Sequence, residues 1–240
     1  MSANPGNGFE YCMTWTCFAA VRPVETQRAR VTRMLTETLT QSSPKDLLRT
    51  ELKSRRAALA FSHPLAGDDL AEAAAAALDA ADAWPAPGAV VSGYWPIQSE
   101  INPFSLLQMF EERGYDLALP VLNPTDSGYE MRFRRFRLGD PLVPGPFGIR
   151  EPGAVAPEVE PDVLLLPMLG FDRAGVRLGY GGGYFDRVLS ALRARKPVTA
   201  YGIAFSAQQL AEVPCEGHDQ KLDGIFTETG LVGAGPEGLE

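Results

Sequence analysis

Arg177, Gly179, Gly181, Gly182, Gly183 and Asp186 fall within ten consecutive residues, and glycine at that density offers a way to hold an anion. Without a Cβ the backbone reaches positive φ and approaches a ligand closely, so several N–H groups can converge on a phosphate at a helix N-terminus. The full stretch, Arg177-Leu178-Gly179-Tyr180-Gly181-Gly182-Gly183-Tyr184-Phe185-Asp186, lies between two elements suited to that use. Upstream, Val163–Pro167 is apolar throughout, the pattern of a strand covered on both faces of a parallel sheet. Downstream, residues 184–195 place Phe185, Val188, Leu189 and Leu192 on one side of a helix. Roughly 16 residues separate strand from helix, far more than the usual two to six, and connections that long in compact domains are usually functional or disordered. An ordinary glycine-rich turn is the competing reading of the loop taken alone.

A second group of chemically useful residues lies far upstream. Ser43-Pro44-Lys45-Asp46 is a strong helix start: Ser can cap, Pro fits the first helical position, and Asp follows three residues after the cap. Leu48, Leu52 and Leu59 make the apolar stripe of this helix, with Lys45, Arg49, Lys53 and Arg56 as a basic stripe beside it. Lys53 and Arg55 read as solvated cations. Lys45 and Arg49 lie near the N-terminal end, where the helix dipole disfavours a cation unless an anion compensates.

The elements between these groups alternate. His63-Pro64 closes the first helix, and residues 68–84 form an Ala-rich helix whose weak apolar face predicts a peripheral, partly exposed position. Residues 89–94 read as a core strand, and Asn102-Pro103 starts a helix that ends at Gly114. Trp95 and Glu100 follow that strand, at the carboxyl end where ligands gather in open α/β sheets; a structural role for Glu100 before the helix is the alternative. Residues 117–121, 198–205 and Gly224–Thr227 are further strands, and 131–136 is a partly exposed edge. Residues 141–157 form a Pro/Gly-rich loop that suggests a ligand wall. Strands alternating with helices predict an α/β fold, a three-layer α/β/α arrangement with a largely parallel sheet, as one domain over 43–229. Residues 1–42 read as a mobile extension, with Met34 an alternative initiator, and 230–240 as a disordered tail.

With 240 residues, 45% apolar and 22% charged, the composition is that of a soluble globular protein, and no apolar run reaches membrane-spanning length. A net charge of -8 argues against nucleic-acid binding through a global positive field, so an anionic ligand must be held by local donors. Cys12, Cys17 and Cys215 with His63 and His218 lack zinc-site spacing. A reducing cytoplasm fits best, with the chain a monomer or weak homo-oligomer.

The glycine loop is neither of the two common nucleotide loops. No Lys-Ser/Thr pair follows it as in a Walker A loop, and Tyr184 occupies the last glycine position of a dinucleotide fingerprint. Several segments taken in order instead resemble the 5-formyltetrahydrofolate cyclo-ligase family, also called methenyltetrahydrofolate synthetases. They are Lys45-x-x-Leu48-Arg49, Tyr94-x-Pro96 with Glu100-Ile101, Gly148-Ile149-x-Glu151-Pro152, Pro167-x-Leu169-Gly170-Phe171-Asp172, the Arg177 to Asp186 stretch, and Asp219-x-Lys221-x-Asp223.

The resemblance implies an ATP- and Mg2+-dependent enzyme that converts 5-formyltetrahydrofolate to 5,10-methenyltetrahydrofolate with release of ADP and phosphate. Lys45 and Arg49 would hold the ATP phosphates and, with Tyr184, carry the catalysis. Arg177, Leu178, Gly179, Tyr180, Gly181, Gly182, Gly183, Tyr184 and Phe185 would wrap the nucleotide. Asp186 and Asp219 would hold the metal, and Trp95, Glu100, Tyr180 and Tyr184 would contact the folate. Some members carry basic residues at the positions of Tyr180 and Gly182, which shifts the burden of phosphate charge here to Lys45, Arg49 and Arg150. A sugar-phosphate isomerase or CoA-transferase-like enzyme of related fold, or an inactive nucleotide- or folate-binding regulator, are the rival readings.

Overall fold

Ser43 caps the first helix as its sequence predicts: its Oγ accepts from the Asp46 N–H, and Pro44 is the first helical residue. The computed structural model describes residues 43–233; the expectations for 1–42, including Met34, Cys12 and Cys17, and for 234–240 lie outside the described residues. In chain order the elements are α1 (Pro44–Ser62), α2 (Ala66–Ala80), β1 (Val90–Ser92), α3 (Phe104–Glu112), β2 (Asp116–Thr125), β3 (Gly128–Phe136), β4 (Leu142–Pro144), β5 (Arg150–Pro152), β6 (Val163–Pro167), β7 (Gly170–Phe171), β8 (Arg177–Leu178), α4 (Tyr184–Arg193), β9 (Thr199–Ile203), β10 (Gly224–Thr227) and β11 (Gly230–Val232).

Seven strands form one sheet in the order β11-β10-β9-β6-β1-β2-β3. Pairing is parallel from β10 through β9, β6 and β1 to β2, while β3 and β11 close the two edges antiparallel. The Leu-rich β6 shows why the centre is apolar throughout. Val163 and Leu165 join the core under α2 and α3, whereas Leu164 and Leu166 join the core under Leu189 and Leu192 of α4. Helices on both faces give the three-layer α/β/α architecture. A third cluster seats α1 through Leu52 against Leu169, Val176, Leu178 and Val213. Gly170 permits this approach, since a Cβ there would lie 2.9 Å from Leu52 Cδ1.

Three expectations are corrected. The Ala-rich helix is not peripheral: Leu70, Ala71, Ala74 and Leu78 are buried beside α3, because methyl side chains let a backbone pack closely where a weak apolar face suggests exposure. The tail does not begin at 230, because Gly230–Val232 folds back as β11 and pairs with β10. The two long loops are also partly structured. Residues 142–152 contain the β4–β5 hairpin, and the connection after β6 contains the β7–β8 hairpin. Asp172 holds that second hairpin, its buried carboxylate accepting from the Ala174, Val176 and Val213 N–H groups.

Candidate active site

After β1 the chain turns to one side of the sheet through α3 into β2; β6 later docks on the other side of β1. The loops leaving the carboxyl ends of β1 and β6 therefore diverge, and that divergence opens the crevice where parallel sheets bind ligands. A cavity of about 430 Å³ occupies it. Lys45, Arg49, Trp95, Glu100, Asp186, Asp219 and every residue from Arg177 to Asp186 line this one cavity, so the structure brings all the site residues expected from the sequence together. Arg150 is not among the lining residues; it is exposed, with its guanidinium turned to the Leu142 carbonyl. Phe147, Ile149 and Glu151 of the same segment do form part of the wall. A larger groove of about 740 Å³ runs along β3 and α4, sharing only Met131 and Tyr184 with the crevice. Its arginines Arg132 and Arg195 are paired with Glu130, Glu158 and Glu160.

The glycine loop delivers the N-terminus of α4 to the crevice. Gly183, in left-handed conformation with φ +63°, precedes the helix, and no side chain caps its first turn. First-turn N–H groups left without a side-chain cap, at the positive end of the helix dipole, are where an anion is held. Gly181 has φ +102°, and a Cβ there would stand 3.3 Å from Arg49 Cζ. A Cβ on Gly182 would strike the Tyr184 ring at 2.8 Å. The loop has no charged side chain from Gly179 to Phe185; Arg49 lies against it, donating its Nε–H to the Gly179 carbonyl at 3.1 Å.

Lys45 faces the segment between β9 and β10: its Nζ stands 2.8 Å from Glu216 Oε1 and 3.2 Å from Asp219 Oδ2. Burial opposes the lysine charge, but hydrogen bonds to Glu216 and Asp219 outweigh it and hold its pKa above the ordinary value. Burial of Asp219 opposes its charge too; the Glu216 N–H and Lys45 outweigh it and lower its pKa. Arg177 is buried and fully directed, with Nη1 on the Gln220 carbonyl and Nη2 on Asp186 Oδ1 at 2.8 Å. It orients Asp186 and does not present a free cation.

The residues fit a magnesium ion. Oδ1 of Asp186 and Oδ2 of Asp219 accept the hydrogen bonds made to these two groups, which leaves Asp186 Oδ2 and Asp219 Oδ1 for a cation. No group of three or more His, Cys, Asp or Glu arranged to hold a metal ion by itself occurs among the described residues. A pair of hard carboxylate oxygens on an anion-binding cavity suits Mg2+, which keeps waters and shares itself with substrate phosphates.

Across the cavity, Trp95 packs edge-on against Phe104, and Glu100 is buried in the loop after β1, accepting from the Ile97 N–H at 2.9 Å. Burial pushes the Glu100 carboxyl up to about 7, against the opposing pull of the Ile97 N–H and Arg56. Tyr184 packs near Phe147, with the Arg187 guanidinium over its ring. Lys53 and Arg55 are exposed, as expected for solvated cations.

Arg56 is the residue whose place sequence reasoning missed. It is 1% exposed, the largest fully buried side chain described, and it donates to Ser99 Oγ, the Met168 carbonyl and the Tyr180 hydroxyl. A signal existed: Arg56 is four residues after Leu52 and three before Leu59, within the apolar stripe and not beside it.

Fold and cavity together define an α/β protein with a ligand-sized crevice at the carboxyl ends of a parallel sheet. The model of the 5-formyltetrahydrofolate cyclo-ligase family matches residues 41–228, and the chain belongs to that family. The 5-formyltetrahydrofolate cyclo-ligase of Mycolicibacterium smegmatis is 35% identical over 152 residues, covering 60% of this chain and 77% of the relative. That of Haemophilus influenzae is 34% identical over 137 residues, covering 55% and 72%. Among solved structures, the 5,10-methenyltetrahydrofolate synthetase of Aquifex aeolicus superimposes with a TM-score of 0.64 at 25% identity, covering 82% of this chain and 97% of that one.

Proposed function

We propose that this chain converts 5-formyltetrahydrofolate to 5,10-methenyltetrahydrofolate with ATP as co-substrate, releasing ADP and phosphate. The observation that carries the reading is the meeting, in one cavity, of Lys45 and Arg49 from α1, the glycine loop before α4, and Trp95 and Glu100 after β1. The formyl group on N5 is amide-like, so its carbon is a poor electrophile and its oxygen a poor leaving group. Transfer of the γ-phosphoryl group to that oxygen activates the carbon. N10 then attacks, the new N10–C bond forms, N10 gives up its proton to water or the phosphate, the C–O bond breaks, and phosphate leaves. Such chemistry needs positioning and charge neutralisation more than a protein nucleophile.

In this reading Lys45 and Arg49 neutralise the phosphates from one side while the loop 179–184 and the start of α4 supply backbone N–H groups from the other. Lys45 exchanges its carboxylate partners for phosphate oxygens when ATP enters. Asp186 and Asp219 would hold Mg2+, which would neutralise charge on the phosphates; Arg177 keeps Asp186 in place through its Nη2–Oδ1 hydrogen bond. Trp95 packs on the pterin, and the Glu100 carboxylate accepts from pterin N–H groups. Tyr184 stands where nucleotide and folate meet.

No helix among the described residues is long and apolar enough to cross a membrane. Cys215 is a free, exposed thiol, which suits a reducing compartment such as the cytoplasm. The test is formation of the ultraviolet-absorbing methenyl product from 5-formyltetrahydrofolate with and without MgATP. Absence of ATP-dependent product overturns the reading, and folate binding without turnover would return the regulator.

A further inference from the structure

The guanidinium of Arg56 sends its three nitrogens to three different segments. Nε donates to Ser99 Oγ at 3.1 Å, in the loop after β1; Nη1 donates to the Met168 carbonyl at 3.1 Å, just past β6; Nη2 donates to the Tyr180 hydroxyl in the glycine loop. Nη1 also lies 3.6 Å from Glu100 Oε1, and both side chains of that pair are buried, 1% and 3% exposed. The Met168 carbonyl is shared with the buried amide of Gln208, which fixes it independently. The groups that face Glu100 are Arg56 from α1, Tyr94 from the end of β1, and Tyr180 from the loop, so Arg56 supplies the only positive charge among them.

A buried ion pair is a poor source of stability, because desolvation offsets the attraction. At a fully buried position in an apolar stripe a charged side chain calls for a reason outside α1. Its contacts supply one: they join the wall on which the folate is placed to the wall on which the nucleotide is placed. Arg's planar fork makes such multiple, directed contacts, and a lysine ammonium does not reproduce them.

We propose that Arg56 is a positioning residue for the reaction, fixing Glu100 and Tyr180 in one frame so that the folate side and the nucleotide side of the cavity form a single unit. The proposal rests on the cyclo-ligase reading for its consequence in turnover, but its structural core does not. Burial alone would keep Glu100 protonated well above the usual carboxylate range; the Ile97 N–H opposes this, and Arg56 adds the opposing positive charge.

Three variants test it: Arg56→Met, Arg56→Lys and Tyr180→Phe. The Glu100 carboxyl is followed directly by 13C NMR titration, and KM and kcat are measured for both substrates. Arg56→Met should raise the Glu100 midpoint by about one pH unit or more, the scale on which a nearby opposite charge acts. It should also raise both KM values and lower kcat about tenfold or more. Arg56→Lys keeps the charge, so the midpoint should hold within about half a unit while kcat still falls about tenfold, because one ammonium cannot serve three segments. Tyr180→Phe should raise the KM for ATP about threefold or more with the Glu100 titration unmoved. An unmoved Glu100 midpoint in a folded Arg56→Met protein overturns the proposal, as does an Arg56→Lys enzyme with wild-type kinetics. If Arg56→Met does not fold, Arg56→Lys and Tyr180→Phe decide by the same measures. If the wild type makes no product, the reaction reading fails separately, and the Glu100 titrations still decide whether Arg56 sets that carboxyl.

Discussion

Arg49 donates its Nε–H to the carbonyl of Gly179, a hydrogen bond across 130 positions that ties the first helix to the glycine loop. The Arg49 cation and the glycine loop are therefore brought together by tertiary contact. Arg49→Ala and Lys45→Ala should each lower kcat/KM for ATP roughly 10²-fold or more, the loss expected when a charge donor to a transferring phosphoryl group is removed. Steady-state kinetics at saturating folate checks this, and a change under threefold would return both residues to a solvated face.

Glu100 should give the folate reaction an acid limb. With its carboxyl pushed up to about 7, the ionised form that accepts pterin N–H groups is lost below neutrality. Values of kcat/KM for the folate should rise with pH up to about 7 and then level, and Glu100→Gln should abolish that limb while lowering folate use and sparing ATP binding. Stability runs the opposite way. The native state keeps a proton that the unfolded chain has released, so stability falls as pH rises from about 4.5 to about 7, by on the order of 3 kcal/mol for this group. Urea unfolding at pH 5 and pH 8 should show Glu100→Gln gaining on the wild type at the higher pH.

Gly182 is a steric requirement that can be tested with one carbon. Gly182→Ala should displace the Tyr184 ring, which a Cβ would meet at 2.8 Å, and raise both KM values. Its melting temperature should stay within a few degrees of wild type, since the residue is exposed in the loop. Unchanged kinetics would show that the Tyr184 ring has no fixed place.

Asp186→Asn keeps an oxygen for Arg177 and the Gln220 N–H but removes the negative charge. The Mg2+ concentration for half-maximal rate should rise about tenfold or more, the effect of losing one hard carboxylate ligand. Magnesium titration at fixed ATP measures it. An unchanged requirement would assign Asp186 to holding Arg177 alone.

Ala74 probes the packing of α2. It is fully buried beside α3, so Ala74→Leu should overpack the core and cost about 1–3 kcal/mol in urea unfolding. A neutral result would restore the peripheral helix read from the sequence.

The sheet was legible because Val163–Pro167 and residues 198–205 are apolar runs, the pattern of strands buried on both faces, and the start of α1 was legible from Ser43, Pro44 and Asp46, whose capping chemistry is local. The cavity members were legible through ordered motifs, each tied to a strand end or helix start. What escaped depends on partners distant in sequence. Alanines do not announce whether their methyl groups meet water or a neighbouring helix. The β4–β5 and β7–β8 hairpins consist of strands of two or three residues, too short for an alternating pattern. Arg56 was read with its basic neighbours, though its helical phase belonged with Leu52 and Leu59; Ser99, Met168 and Tyr180, which accept its hydrogen bonds, lie between 43 and 124 positions away.

Lys45 meets Asp219 across 174 positions. On a ribosome the helix that carries Lys45, Arg49 and Arg56 emerges early, and the carboxylates and glycine loop that complete the cavity emerge only near the end of synthesis. For most of its elongation the nascent chain holds a buried-to-be arginine with no acceptor and two lining cations with no loop beside them. The cavity is therefore complete only once nearly all of the sheet is present, which makes its assembly a report on completed folding.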